Sequence, residues 1–418
     1  MKAGFGKGTI RFPQEFFPQE GFRGVHDDPH VRLMVLQFAD NAFALLEGEL
    51  VIIPQSAIDR WRKRISEAFA IPYEQTVVQM THAITTPHEP GPLGPPDKRP
   101  EPTEEDLRKR RIYHDVTDRA VEEAIAQARR SFGDAVLGWG SGECAVNVNC
   151  DVETPFGWWL GADPAGYSDH TLRILRVNGI DGSMKGMFVS FGMKPAAIDN
   201  AGRKENARLV SSEIAGAFCE KLEKRYGVPV IYSVSAGGNQ LPRVTALKYE
   251  VTENGEVIEH DEGPEQGFRY AETLAEEMCR AAIPAIDAID CKEADGSTAW
   301  TSAVIRWERR RGGPRKLRKV IDHTQAGEVE LTAEVFTLGD TAFVLVRPEM
   351  TAECGRYLME RSPYEKTILM TLTNGEMKCL PDAKSFERGT YEAQGSNLMP
   401  GAAEALLDTI IQRMEETK

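Results

Sequence analysis

No apolar run in this chain approaches the roughly 20 residues needed to cross a bilayer as a helix, so no membrane span is expected. The N-terminus, MKAGFGKGTIRFP, has no apolar signal-peptide core. Positive charge is short: 50 Lys and Arg against 64 Asp and Glu leave a net charge of −14. That excludes a general affinity for nucleic acid or anionic membrane, since both need a basic face. The seven cysteines are scattered and contain no C-x-x-C pair, the usage of a reducing compartment with most thiols serving as small core residues. A cytoplasmic protein is expected. Among eight histidines there is no H-E-x-x-H and no close pair at zinc-finger spacing. Gly138-Trp139-Gly140-Ser141-Gly142 lacks the G-x-G-x-x-G spacing and leads into extended residues, so no helix N-terminus waits there for a phosphate.

What is present is a chain of 418 residues, 41% hydrophobic and 27% charged, ample for a full core. The stretch Met184 to Arg243 is the most informative. MKGMFVSFGMKP alternates as a half-buried strand and stops at Lys194-Pro195. ARLVSSEIAGAFCEKLEKRYG has apolar residues at helical spacing and Gly227 where a C-cap belongs. VPVIYSV reads as a buried strand, and SAGGNQLPR as a polar loop. Strand, helix, strand implies a right-handed parallel crossover, whose chemistry sits at the carboxyl ends of its strands. Lys194 and the loop Ser235–Arg243 are therefore expected on one sheet edge.

A second such unit comes earlier. Val31–Phe38 and Ala42–Ile53 read as a hairpin, a helix capped by Ser56 and Asp59 runs to Phe69, and the strand Thr76–Thr81 ends at His82. Residues 83–102 hold seven prolines and cannot be regular structure, which suits a lid or binding loop. Thr103 caps a charged surface helix reaching Phe132. Gly138–Val152 reads as one glycine-broken strand, and PFGWWLGADPAGYSDH as an aromatic loop. Hairpins are expected around Asn178–Gly182 and Asn254-Gly255, with a helix over Tyr270–Ala285. Thr301–Arg309 and Glu328–Leu338 read as strands, Thr341–Val346 as another, and Pro348-Glu349 as the opening of a helix. Thr367–Thr373, a loop through Tyr391 and a helix over Ala402–Met414 complete the chain. The expected fold is a single α/β domain spanning residues 1–418, a mixed-sheet layered body with helices packed on the sheets.

Several residues invite a chemical reading beside a plain one. Lys194, at a strand end, suits a base or an anion clamp, or an exposed edge lysine. Glu349 suits a site carboxylate, or a cap on its own helix. His82 and His88 are permissive for metal, though a single histidine is more often a hydrogen-bonded structural one. Ser235, in SVSAGG after a strand, is distantly like a nucleophile elbow but lacks the first glycine and any evident histidine base. The insert 309–319 carries seven basic residues in eleven. It reads as a solvated hairpin tip, with contact to an acidic partner as the functional alternative.

The order of motifs carries the reading further. GFRGVHDDPHVRLMVLQF, TVVQMTHAITTPHEP, LGADPAGYSDHTLRILRV, LVSSEIAGAF, VPVIYSVSAGGNQLPR, LGDTAFVLVRPEM and GTYEAQGS together resemble the neutral/alkaline, non-lysosomal ceramidase N-terminal domain family, in register from residue 3 to 396. The resemblance implies a zinc-dependent amidase, in which metal held by two histidines, a glutamate and a tyrosine activates water and polarises the carbonyl. Carried over, the family's ligand positions fall on Ile84 in the His82–Pro87 stretch, on Lys194 before Pro195, on Glu349 and on Cys379, with the later tyrosine kept as Tyr391. The Gly-Asp-x-Ser/Asn-Pro signature becomes Gly238-Asn239-Gln240-Leu241-Pro242. Glu349 alone is retained as a ligand, so no cofactor is assured and the resemblance keeps zinc open, with His82, His88 or Cys379 as new partners. The expectation is a divergent ceramidase-fold hydrolase acting on a small amide or related carbonyl compound other than ceramide. Lys194, His82, Glu349 and Tyr391 would do the chemistry, and His88, Asn239, Gln240, Arg243 and Cys379 would bind substrate. A catalytically inactive relative that binds a small ligand or joins a complex is the alternative, and a homo-oligomer is left open.

Overall fold

Alternate residues of the same strands face two different cores, and this decides the architecture. Ala3 and Phe5, Met34 and Leu36, Phe43 and Leu45, Leu175 and Val177, Phe188 and Ile231 point into one cluster with Phe336, Phe343, Leu345, Ile368 and Met370. That cluster is the seam between two sheets. Residues on the opposite side of each pleat, such as Leu33, Val35, Ala44 and Leu46, or Ile174, Val189 and Tyr232, point outward against helices. The computed structural model describes residues 1–92, 99–294, 297–313, 315–317, 320–375 and 377–418.

The larger sheet has eight strands in the order Val230–Val234, Met184–Phe191, Thr171–Gly179, Gly133–Glu143, Lys2–Thr9, His30–Gln37, Ala42–Gly48 and Thr76–Met80. Pairing is antiparallel except at its two edges, where Met184–Phe191 runs parallel to Val230–Val234 and Ala42–Gly48 to Thr76–Met80. The crossover helices are Glu213–Tyr226 and Gln55–Phe69. The smaller sheet has the order Thr298–Arg310, Gln325–Leu338, Thr341–Val346 and Lys366–Met370, its last pair parallel around the helix Ala352–Arg361. Helices cover both outer faces, giving four layers: helix, sheet, sheet, helix. This is the mixed α/β body expected.

Glycine ladders set the outer layer's distance. Cβ atoms added at Gly4, Gly6 and Gly8 would lie 2.4, 1.9 and 1.8 Å from the carbonyl oxygens of Ala128, Ala124 and Ala120. The helix Glu104–Ser131 thus lies directly on the strand Lys2–Thr9, and its side chains finish the strand's ladder. Phe5 N–H donates to Ser131 Oγ at 2.9 Å and Lys7 N–H to Gln127 Oε1 at 2.7 Å. One helical turn of four residues climbs ~6 Å and two strand residues ~6.8 Å, close enough for this match. Gly138, Gly140 and Gly142 repeat the device against Ala281 and Ala285 of the helix Pro264–Asp287 and Ile289 just after it. The GWGSG run is therefore a packing ladder.

Several local expectations change. Pro54, with no side-chain hydrogen bond, stands at the N-cap expected of Ser56, since proline suits a helix entry through its fixed φ. Gly138–Val152 divides into Gly133–Glu143 and Asn147–Thr154, which belong to different sheets. Gly157–Asp163 is a strand paired with Asn147–Thr154 rather than an aromatic loop. Glu349 sits on the short strand Pro348–Met350, and the helix after it is capped at Thr351. The segment before Tyr391 contains the strand Met377–Leu380 and the helix Ala383–Arg388, and Tyr391 begins a further helix. Thr103 does cap its helix, in a capping box with Asp106. No helix among the described residues is long and apolar enough to cross a membrane.

Gly6→Ala should destabilise the fold by ~1–3 kcal/mol, because the methyl has no room against Ala124. Gly24→Ala, whose nearest neighbour would be 3.8 Å away, should stay within about 0.5 kcal/mol. Chemical denaturation of both variants checks this; equal effects would contradict the ladder.

Candidate functional site

The carboxyl ends of the parallel strands converge on one corner of the molecule. Gln79, 1% exposed, ties them together: its Nε2 donates to Val234 O at 3.0 Å and to Thr371 O at 2.8 Å, linking both edges of the large sheet to the small one. The chain leaves these ends in tight turns. His82, Leu372 and Asn374 all take left-handed backbone conformations, with φ of 62°, 57° and 54°. Such strain in non-glycine residues gathers where a structure over-determines its backbone, commonly at sites.

Glu349 is the centre of this corner. It is 2% exposed, and its carboxylate faces Lys194 Nζ at 3.3 Å and His82 Nδ1 at 3.2 Å. Burial alone would raise its pKa, but the Lys194 ammonium and then His82 outweigh that and hold the carboxyl at about 2. Burial likewise opposes the charge on Lys194, and Glu349 more than offsets it, raising the lysine above its usual range. Cys379 Sγ lies 3.9 Å from Glu349 Oε2, and burial pushes its thiol up to about 11. Lys194 is anchored through its own backbone N–H, which donates to Gln240 O at 3.1 Å. The chain just beyond it wraps the buried Glu213 carboxylate, which accepts from the N–H groups of Ala197, Ile198 and Asp199 at 3.0, 2.9 and 3.1 Å. Burial pushes Glu213 up to about 8 against those donors.

Two cavities flank the Lys194–Glu349–His82 row. One, of about 330 Å³, is lined by His82, Glu349, Cys379, Arg315 and Lys378. The other, of about 370 Å³, is lined by Lys194, Ile84, Cys150, Arg243, Tyr391 and Glu392. Arg315 and Tyr391 stand between them, the guanidinium 4.2 Å from the ring centroid and its Nε donating to Tyr391 O at 3.1 Å. A third cavity, of about 380 Å³ between Trp139, Arg173 and Tyr364, holds none of these groups.

The structure thus brings together Lys194, His82, Glu349 and Cys379, and puts Tyr391 on the partition. It does not bring the others. His88 turns away to Glu20, Nδ1 to Oε2 at 3.0 Å. Asn239 and Gln240 are buried and committed inside the protein: Asn239 Nδ2 donates to Asp151 and Glu353, and Gln240 Nε2 to Tyr167 O. Arg243 lines a cavity, but its guanidinium is held by Glu277 at 2.8 Å. Ser235 is 2% exposed, and no hydrogen bond joins it to a histidine among the described residues. Leu241 and Ile84 line the larger cavity as apolar wall.

Sequence reasoning missed Arg315 and Lys378. Where it is described, the insert 309–319 is mostly exposed, as a solvated tip would be, but it is fastened: Arg310 is 2% exposed and donates to Ala393 O and Gln394 O, and Lys316 N–H donates to Gln394. Its density of arginine was the available signal, since arginine's donors can fasten a loop over backbone carbonyls. Residues 314, 318 and 319 lie outside the described residues, as do 93–98 of the proline-rich segment. The start of that segment is docked, with Thr85 and Thr86 buried and bonded to Ser211 and Val51, while residues 99–101 are exposed.

These residues do not fit the zinc of the resembling family. A lysine ligand would have to lose its proton, whereas Lys194 is held charged against the one retained carboxylate, and Ile84 offers no donor. His82, Glu349 and Cys379 are not among groups of three donors whose ligand atoms all lie within 4.8 Å of one another.

Glu349→Gln should lower stability at neutral pH by about 3 kcal/mol, because the buried ammonium loses its counter-charge. A carboxylate with a depressed pKa stabilises above its unfolded value of 4.5 and loses that contribution as pH falls toward about 2. The gap between wild type and variant should therefore close over that window in denaturation curves. A gap that persists unchanged at pH 2 would refute the pairing.

No protein-family model matches the chain, and no curated protein matches it by sequence. Solved structures do. A ceramidase complexed with C2 superposes with a TM-score of 0.71 at 13% identity, covering 99% of this chain and 75% of that one. Neutral ceramidase from Pseudomonas aeruginosa superposes with a TM-score of 0.69, also at 13% identity, covering 99% and 74%. At that identity the likeness concerns architecture, and the chain has the ceramidase-like α/β fold.

Proposed function

We propose that this chain is a hydrolase of small, anionic amides or related carbonyl compounds, working through His82 and Glu349 with cationic side chains in place of a metal. The observation that carries the reading is the buried row Lys194–Glu349–His82. Glu349 accepts from His82 Nδ1, which leaves Nε2 with no partner among the described residues on a side chain 28% exposed at the smaller cavity. A carboxylate that orients an imidazole in this way is the arrangement of a general base. Water would lose its proton to His82 Nε2 and attack the carbonyl carbon. Lys378 would meet the negative charge that develops on oxygen, and the imidazolium would return its proton to the leaving amine. Lys194 keeps Glu349 ionised from the other side, which makes it a positioning residue.

The lining supports this substrate class. A cavity of about 330 Å³ with Arg315, Lys378 and His82 in its wall suits a small acylated acid far better than the two long chains of ceramide. Arg315 is the anion contact in this reading, Arg243 being already paired. One observation favours a silent binding protein instead: Lys194 closes Glu349 off on one side.

A panel of N-acyl amino acids and their ester analogues separates the two. His82→Asn should lower kcat by ~10²–10⁴-fold with binding kept, while Arg315→Met should chiefly raise KM. Binding of panel members without turnover by the wild type would favour the silent reading, and turnover unchanged in His82→Asn would sink the proposed base.

A further inference from the structure

Beside Lys194, in the wall of the larger cavity, lies a cluster that the hydrolytic row does not use. The ligand atoms of Cys150, Asp151 and Glu392 all lie within 4.8 Å of one another. All three residues are buried, at 1%, 5% and 1% exposure. Cys150 Sγ stands 3.6 Å from Glu392 Oε1, while Glu392 Oε2 has no hydrogen-bond partner among the described residues. Two carboxylates buried side by side need a proton or a cation between them. The ammonium of Lys194, in the wall of the same cavity, makes its ion pair with Glu349 instead.

We infer that Cys150, Asp151 and Glu392 form a binding site for a divalent cation of the zinc class. One thiolate with two carboxylates suits zinc or cobalt, whereas magnesium and calcium take oxygen alone. With metal–ligand bonds of ~2.0–2.3 Å, tetrahedral ligands stand ~3.3–3.8 Å apart, so the 3.6 Å edge already fits. Adjacent strand residues ordinarily point to opposite faces. Here the pairing of Asn147–Thr154 with its neighbour slips between Asn149 and Asp151, and a bulge of this kind re-aims side chains. The outer shell is in place as well: Asn239 Nδ2 holds Asp151 Oδ2 at 3.2 Å. Cys150 and Glu392 line the cavity, which supplies an entry path and leaves a coordination position open to it. This inference stands apart from the hydrolase reading, since none of its three ligands belongs to the Glu349 row.

Cobalt(II) titration of chelator-treated, full-length protein tests it, because thiolate ligation gives an ultraviolet charge-transfer band. One equivalent of cobalt should produce the band. Cys150→Ser should abolish it, and Asp151→Asn and Glu392→Gln should each weaken binding by more than the ~10–100-fold that loss of an outer-shell partner costs. Cys379→Ser should leave it intact. No band, or a band lost in Cys379→Ser and kept in Cys150→Ser, overturns the site. If Cys150→Ser does not fold by circular dichroism, the carboxylate variants decide: unchanged cobalt affinity in both overturns it.

Discussion

A carboxylate buried to 2% exposure cannot stand ionised without compensation, and the way Glu349 is compensated organises this molecule's functional corner. Its two partners come from different crossover units. His82 ends the unit whose strands are Ala42–Gly48 and Thr76–Met80, and Lys194 follows a strand of the unit Met184–Phe191 and Val230–Val234. Glu349 itself belongs to the smaller sheet's side of the molecule. One buried charge thus requires three separately folded segments to arrive together, and a shift in any of them leaves an unpaired ion in a dry place.

Those arrivals depend on packing that is set elsewhere. The two glycine ladders let helices lie against strands at backbone distance, and the seam of Phe43, Phe336 and Phe343 holds the two sheets face to face. Gln79 then fastens the strand ends across the seam with two hydrogen bonds from one amide. Its side chain does for two sheets what a shared strand would do for one.

Beside that scaffold, the chemistry is assembled from changed parts. Where the resembling family carries metal ligands, this chain has an ammonium already matched to its carboxylate. The surrounding charge comes from an insert whose Arg310 and Arg315 bond backbone carbonyls of the helix Tyr391–Gly395. Arg315 on Tyr391 divides the space into a basic cavity around His82 and a second one beside the Cys150, Asp151 and Glu392 cluster. Similar fold and altered site are separate facts, because a fold fixes where strand ends meet and leaves open which side chains stand there.

Much of this was legible along the chain. Period-two apolar strands, helical spacing and Gly227 marked the crossover that carries Lys194, and the same reasoning delivered His82 to a strand end. Motif order pointed to the family fold. These are local signals, written in residues close in sequence. The partners of those residues were not legible. His88, Asn239, Gln240 and Arg243 looked like site residues by position, yet Glu20, Glu353, Tyr167 and Glu277 hold them from other segments of the chain. Cys150 and Asp151 are neighbours on a strand, where side chains ordinarily face opposite ways, yet at a register slip both come within reach of Glu392, which lies far along the chain. Residue order was enough for the elements and for the ends where chemistry could sit, because backbone geometry and burial act over a few residues. Which charges face one another at those ends was settled by folding alone, because a charge's partner is chosen by proximity in space and the low dielectric of the place where they meet.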